Sequence, residues 1–401
     1  MPELVRATYL ATADVPFDPE KRAKAVALGQ TTDTWTPLER AGQERLERHR
    51  GFVLEAQPLL EERGRASACF TIGFPPGNTQ WDIASLLVMV FGKVSLDGRI
   101  RLLDLQLPDS FLSALPGPKF GIPGVRGLLG IPQRPLMMSI FKPCVGLSAR
   151  DLGDMYYQQV LGGSDIVKDD EILPDLDICP TEQRLALCLQ AGRQSRRETG
   201  QACLYAVNLT GRIETMLDRA RSLVDQGANC LLFNVIAYGY PMLEALARDT
   251  KVSVPIVAHP ALAGGLGSAP EHGIAYRVIL GTLMRAAGAD IVLFPSSYGS
   301  VALPASETSA IREALTSPMG RMAQVFPGPS AGIHPGLVPR VVKDYGSDVV
   351  INAGGGVHGH PKGARAGALA FRQAIDLAMA GRPLGAAEAP ELAEALELWG
   401  K

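Results

Sequence analysis

From Arg134 onward, short apolar runs rich in β-branched residues alternate with longer amphipathic ones, which restricts the chain to folds built from successive βα units. Eight strand candidates follow one another. They are "PLMMSIFKP" from Pro135, "SDIVKDDE" from Ser164, "CLYAVNLTG" from Cys203, "NCLLFNVIAYG" from Asn229, "VPIVAHP" from Val254, "ADIVLFPS" from Ala289, "AQVFPGPSAG" from Ala323 and "DVVINAGGG" from Asp348. Stretches such as "SARDLGDMYYQQVL" and "GRIETMLDRARSLVDQG" lie between them, with apolar residues three and four apart, as on one face of a helix. The strand runs are continuously hydrophobic, as expected of parallel strands covered on both faces. No GxGxxG turn follows the first run, which disfavours a doubly wound open sheet. The alternation therefore predicts a (β/α)₈ TIM barrel over residues 126–401, since about 270 residues is the usual size of that fold.

Residues 1–125 have another texture. Strand-like "ELVRATYLAT" and "ASACFTIGFP", a helical "WDIASLLVMVFGKV" and a further strand "RIRLLDLQLP" predict a small α+β domain. The Pro/Gly-rich "ALPGPKFGIPGV" reads as the linker, and the tail "LGAAEAPELAEALELWGK" as a surface helix. Lys and Arg number 39 against 41 Asp and Glu, so no basic surplus favours nucleic acid as a partner. No apolar run approaches the roughly 20 residues that span a bilayer, and the N-terminus lacks a signal-peptide pattern, so the expectation is a soluble, cytoplasmic protein without membrane partners. Six scattered cysteines without CxxC spacing read as reduced thiols.

Chemistry in such a barrel sits at the C-terminal ends of the strands. Lys142 ends the first run, Lys168, Asp170 and Glu171 the second, and Asn208 the third; Asn234 lies late in the fourth, His259 ends the fifth, Ser330 follows the seventh and Gly354 to Gly356 follow the eighth. Alternation along the second strand sends Lys168 and Asp170 to one face and Asp169 to the other, while Glu171 can turn inward where the strand stops. The cluster is either a solvated turn or a site for a hard cation such as Mg²⁺, and in the second case Lys168 needs modification before it can offer oxygen. A neutral lysine amine can add CO₂ to give a carbamate with two anionic oxygens. The glycines of "INAGGGVHGHPKG" and "PSAGIHPG" let backbone N–H groups approach an anion, or simply permit tight turns. His259 is either a site residue or a hydrogen-bonded core histidine, and His358 and His360 lack the companions of a zinc site.

The stretches "GGSDIVKDDE", "FKPCVGLSARDLG", "PSAGIHPG" and "NAGGGVHGHPKG" resemble, in order and spacing, the large subunit of ribulose-bisphosphate carboxylase. The resemblance covers nearly the whole chain. It implies a ferredoxin-like α+β domain followed by a (β/α)₈ barrel, with Lys168 carbamylated to N6-carboxylysine and holding Mg²⁺ together with Asp170 and Glu171. It further implies that Lys142, Lys168, Asp169, Asp170, Glu171, His259, Ser330, Gly332, Gly354 and Gly355 contact a phosphorylated substrate.

Departures from the carboxylase pattern bear on activity. Cys144 replaces the second lysine of the "KPK" motif, Pro260 the arginine after the strand-five histidine, and Leu293 the strand-six histidine. Ser300 stands where the mobile loop of a carboxylase carries a lysine that stabilises the carboxylated intermediate, so no carboxylation is expected. "FGKVSLDGRIRLLDL", "LYAVNLTGR", "LLFNVIAYG" and "LFPSSYGSVALP" are similar to the carboxylase-like 2,3-diketo-5-methylthiopentyl-1-phosphate enolases of methionine salvage. That likeness implies Mg²⁺-supported tautomerisation of a phosphorylated diketone. Lys93 would be the proton acceptor, supplied by the neighbouring subunit of a homodimer. Two other readings stay open: isomerisation of 5-methylthioribulose 1-phosphate or another sugar phosphate on the same scaffold, and a non-catalytic regulatory protein that binds a phosphorylated metabolite.

Overall fold

A computed structural model describes residues 3–32, 43–386 and 389–400. Its N-terminal part runs β1 (Val5–Asp14), helix Pro19–Gly29, β2 (Phe52–Glu62), β3 (Arg65–Phe74), helix Ile83–Phe91 and β4 (Ile100–Gln106). The strands pair antiparallel in the order β4-β1-β3-β2, the split βαβ arrangement expected of a ferredoxin-like domain. Along β1 the residues Val5, Ala7, Tyr9 and Ala11 are buried while their neighbours are partly exposed, the period-two pattern of a sheet covered on one face. Each helix begins at an aspartate whose carboxylate accepts a first-turn N–H: Asp18 from Lys21 at 3.0 Å, and Asp82 from Ser85 at 2.7 Å. Gly273–Ile274, from the barrel part of the chain, adds in parallel to β4 and joins the two parts through the sheet edge.

All eight strands expected of the barrel are present, at Leu136–Ile140, Ile166–Lys168, Leu204–Asn208, Cys230–Phe233, Ile256–Ala258, Ile291–Pro295, Phe326–Ser330 and Val350–Ala353. They pair in parallel from the seventh back to the first and then to the eighth, and the eighth stands beside the seventh to complete the ring. One set of alternate residues faces inward: Leu136 and Met138, Ile166, Leu204 and Ala206, Cys230 and Leu232, Val257, Ile291 and Leu293, Phe326 and Val350 form an apolar cluster inside the ring. Among the described residues no helix is long and apolar enough to cross a membrane.

The expected linker proves partly helical. Gly121–Leu129 is a helix that spans the boundary anticipated at 125/126, and its Ile122, Val125 and Leu129 plug the floor of the barrel. Its start is held by Asp290, whose Oδ1 accepts the N–H groups of Phe120 and Gly121 at 2.7 and 2.8 Å while Oδ2 accepts that of Ile256 at 2.9 Å. At the other end of the chain, helix Pro390–Trp399 buries Leu392 and Ala395, and Trp399 stacks on His334 with ring centroids 6.2 Å apart. All six cysteines are free thiols.

Candidate active site

The alternation that turns Ile166, Leu204, Cys230 and Val257 into the barrel interior, carried two or four residues further, brings Lys168, Asp170, Asn208, Asn234 and His259 to the mouth. Lys168 is fully buried there. Its Nζ donates to the Asp169 carbonyl at 3.0 Å and lies 3.4 Å from Glu171 Oε2. Burial pushes the Lys168 amine below its ordinary value, against the pull of Glu171 and Asp170. On the first strand's end, Lys142 forms an ion pair with Asp170 Oδ2. Burial would lower the Lys142 pKa, but the contact with Asp170 and the nearby Glu171 outweigh it and hold the group above its ordinary value. Glu171 feels the same opposition: burial raises it, and the Lys168 and Lys142 charges bring it below the usual glutamate value.

His259 completes this group, with Nε2 3.3 Å from Glu171 Oε2. Its Nδ1 accepts the Ala261 N–H at 3.2 Å, so the proton of the neutral ring sits on Nε2 and points at Glu171. Burial first, and the Lys168 and Lys142 charges second, hold His259 well below the ordinary histidine value. The turn that carries Glu171 is fixed from the neighbouring strands. Asn208 Nδ2 donates to the carbonyls of Glu171 and Leu173 at 3.1 and 3.0 Å, and Asn234 Nδ2 to that of Glu171 at 3.2 Å.

Asp169, expected to contact a substrate, turns its side chain away from the mouth. It is fully buried on the helix side of the strand, where Tyr205 Oη donates to Oδ1 at 2.6 Å. Its Oδ2 accepts from Arg184 Nε and Nη2 at 3.1 and 3.0 Å and from the Asn208 N–H at 2.8 Å. Both oxygens are therefore taken, and the residue braces the second and third strands against helix Thr181–Thr199. Arg184 and Tyr205 were not anticipated. The available signal was an arginine one place before Leu185 and four before Cys188, on the helix face that is otherwise buried.

Across the ring, the loops after the seventh and eighth strands pack together: a Cβ on Gly356 would stand 2.3 Å from the Ile333 carbonyl. Ser330 Oγ donates to the Phe294 carbonyl at 3.1 Å. Ala331 and Gly332 follow in the left-handed region, with φ of 67° and 77°. The loop carrying Ser300 rests on this turn, because Ser300 donates its N–H to the Ala331 carbonyl at 3.2 Å and any Cβ on Gly332 would come within 2.5 Å of Ser300 N. Gly354 lies beside the aliphatic stem of Lys142, which a Cβ there would approach to 3.3 Å, and Gly355 opens a short helix to His358. The two histidines beyond serve the scaffold: His358 Nε2 meets the Ile140 carbonyl at 2.8 Å and His360 Nε2 that of Glu391 at 2.9 Å.

Lys93 is not brought to the mouth within the described hydrogen bonds and ion pairs. It is exposed on the N-terminal domain and begins the turn Lys93–Leu96, directly after helix Ile83–Phe91. That turn is fastened from below, where Gln30 Oε1 accepts the Val94 N–H at 3.1 Å and Gln30 Nε2 donates to the Met89 carbonyl at 2.8 Å. Among the described residues no three His, Cys, Asp or Glu side chains gather as a ready-made metal centre. Asp170 and Glu171 offer two carboxylates, and a third anionic oxygen at this place would have to come from Lys168.

The model of the ribulose bisphosphate carboxylase large chain, catalytic domain, matches residues 121–399. Over 407 residues the chain is 47% identical to the 2,3-diketo-5-methylthiopentyl-1-phosphate enolase of Geobacillus kaustophilus, covering 99% of this chain and 98% of that protein. The enolase of the same name from Bacillus licheniformis is 46% identical over 403 residues, covering 100% and 99%. Among solved structures, a rubisco-like protein (MtnW) from Alicyclobacillus acidocaldarius superposes with a TM-score of 0.94 at 46% identity, covering 99% of this chain and all of that one. The octameric ribulose-1,5-bisphosphate carboxylase/oxygenase of Pyrococcus horikoshii superposes at 0.92 with 30% identity, covering 99% and 94%.

Proposed function

This chain belongs to the ribulose bisphosphate carboxylase large-chain family, and we propose that it is an enolase of 2,3-diketo-5-methylthiopentyl 1-phosphate, acting in methionine salvage without carboxylating its substrate. The observation that carries this reading is the buried Lys168 amine, held with Asp170, Glu171 and a neutral His259 at the barrel mouth, in a chain whose relatives with full-length identity bear that name. Ser300 supports the exclusion of carboxylation, since its hydroxyl supplies no cation to a carboxylated intermediate.

The donor set fits Mg²⁺. Burial lowers the Lys168 pKa and so favours the neutral amine that CO₂ addition requires, and the product would place carbamate oxygens beside Asp170 and Glu171. Bound there, the ion would supply Lewis-acid stabilisation to the oxygens of the vicinal diketone. Asn208 and Asn234 keep the Glu171 turn from shifting as charge develops. The Nε2–H of His259 can donate to Glu171 or to a substrate oxygen that replaces it. Lys142 presents a cation beside Gly354, where a phosphate or an enolate oxygen could be paired, and the backbone of Gly332, Gly354 and Gly355 with the Ser330 hydroxyl would receive the phosphate. Lys93, supplied by the neighbouring subunit of a homodimer, would accept the substrate's C1 proton, and its exposure on the N-terminal domain leaves it available for that role.

Proton NMR of the purified protein with the diketone phosphate tests the reading. Enol resonances that appear without consumption of CO₂ are expected. Their absence, or turnover of 5-methylthioribulose 1-phosphate in their place, would overturn it.

A further inference from the structure

A hollow of about 540 Å³ opens on the opposite side of the mouth from the glycine loops. Glu171 and Asn234 form its inner edge, and Ile172, Gly211, Tyr238 and Leu262 line it, from the loops that follow the second to fifth strands. In a ring of eight strands the third and fourth lie across from the seventh and eighth, so the charged cluster stands between this hollow and the glycine loops. The lining is mainly apolar. At its rim Arg219 and Asp175 form an ion pair at 2.9 Å.

Two features mark the hollow as more than a gap between loops. Leu262 is 66% exposed and holds φ 70°, ψ −6°, the left-handed conformation that a Cβ-bearing residue other than Asn or Asp rarely adopts. Neither burial nor backbone geometry accounts for leucine there, and such outliers concentrate at ligand sites. Beside it Ile172 is 64% exposed, immediately after the Glu171 carboxylate. The opposite wall is rigid: the Tyr238 ring stacks on Phe233 with centroids 5.3 Å apart, and its hydroxyl accepts the Gly211 N–H at 3.3 Å.

We propose that this hollow receives the methylthio end of the phosphorylated diketone and that Leu262 and Ile172 determine specificity for an apolar tail. The assignment rests on the functional reading above. In that substrate the phosphate is carried on C1, the ketones are C2 and C3, and the thioether is on C5, so phosphate and sulfur leave the diketone in opposite directions. A phosphate received by Gly332, Gly354 and Gly355, with the diketone at Lys168, Asp170 and Glu171, directs the tail past Glu171 and Asn234 into the hollow.

The test compares kcat/KM for 2,3-diketo-5-methylthiopentyl 1-phosphate with that for 2,3-diketopentyl 1-phosphate, which keeps the reacting part and lacks the thioether. Leu262→Asn preserves a residue suited to the left-handed backbone while removing the apolar contact. In this variant the preference for the tailed substrate should fall about tenfold, chiefly through KM, and Leu262→Met should keep it. A preference unchanged in Leu262→Asn overturns the assignment of the hollow and leaves the enolase reading intact. An equal loss on both substrates, accompanied by a change of oligomeric state on sizing, overturns it in favour of a subunit contact. A parent protein that enolises neither substrate overturns the functional reading, and this assignment with it.

Discussion

The barrel mouth and the turn that carries Lys93 differ in how far a single chain completes them. At the mouth, Lys142 is paired with Asp170, Lys168 and His259 both address Glu171, and Asp169 below is neutralised by Arg184. The Lys93 turn is well anchored from beneath, yet its outer surface is open: Leu96 and Val88 are 87% and 69% exposed on either side of the lysine. The difference teaches that the charged groups of the mouth are brought together within one barrel, while Lys93, the proton acceptor we propose, lies outside that cluster in its own chain.

That division yields the largest predicted effects. Lys168→Ala should lower kcat about 10³-fold by removing the proposed carbamate ligand. Lys93→Ala should lower it by about 10² to 10⁴ by removing the base. Neither change should unfold the chain. If one subunit's Lys93 serves the other's mouth, mixing the two inactive proteins regenerates one complete site in each hybrid dimer, so about a quarter of the parent activity should return. Mixed samples that remain inactive after verified subunit exchange would place both residues in the same chain's site and break the comparison.

Much of the mouth was legible in the sequence because strand periodicity is a local property. Once "SDIVKDDE" is a parallel strand, its alternation separates Lys168 and Asp170 from Asp169, and the structure bears out that geometry, with the Asp169 carboxylate on the helix side. Its real partners, Arg184 and Tyr205, lie 15 and 36 residues away and depend on how a helix docks, which no local pattern encodes. The first half of helix Gly121–Leu129 falls in the expected linker for a related reason. Three glycines and a proline argue against helix locally, but burial of Ile122, Val125 and Leu129 under the barrel overrides propensity. The edge strand Phe52–Glu62 escaped notice because nearly all of its residues are exposed, so it carries no buried alternation to find.

The Asp169 network supplies the next effect in size, on stability before chemistry. Asp169→Ala would leave the fully buried Arg184 guanidinium without its counter-charge and strip acceptors from Tyr205 Oη and the Asn208 N–H. Chemical denaturation should register a loss of about 3–5 kcal/mol. Because Asn208 also holds the Glu171 turn, activity should fall further than the folded fraction alone explains. A variant as stable as the parent would mean that the brace beneath the mouth is dispensable, and that the contrast with the open Lys93 turn is overstated.

The smallest predicted effect lies where the two regions meet. Helix Ile83–Phe91, which leads into Lys93, starts with its Ile83 N–H donated to Glu244 Oε1 at 3.0 Å, and Glu244 belongs to barrel helix Tyr240–Arg248. Glu244→Ala should cost about 1 kcal/mol through the unmet N–H. Its main consequence would be positional, with kcat falling a few-fold as the Lys93 turn loses its fixed distance from the barrel. Burial holds the Glu244 carboxyl above its ordinary value, ahead of the opposing contacts with Ile83 and Arg248. For an acid raised in this way the folded state binds the proton more tightly, so its contribution to stability is greatest below the unfolded-state pKa and declines as pH rises through the folded one. Glu244→Gln, which keeps an oxygen acceptor and cannot titrate, should retain kcat and flatten that decline. If Glu244→Ala and Glu244→Gln reduce kcat equally, the charge rather than the hydrogen bond sets the position of the Lys93 helix.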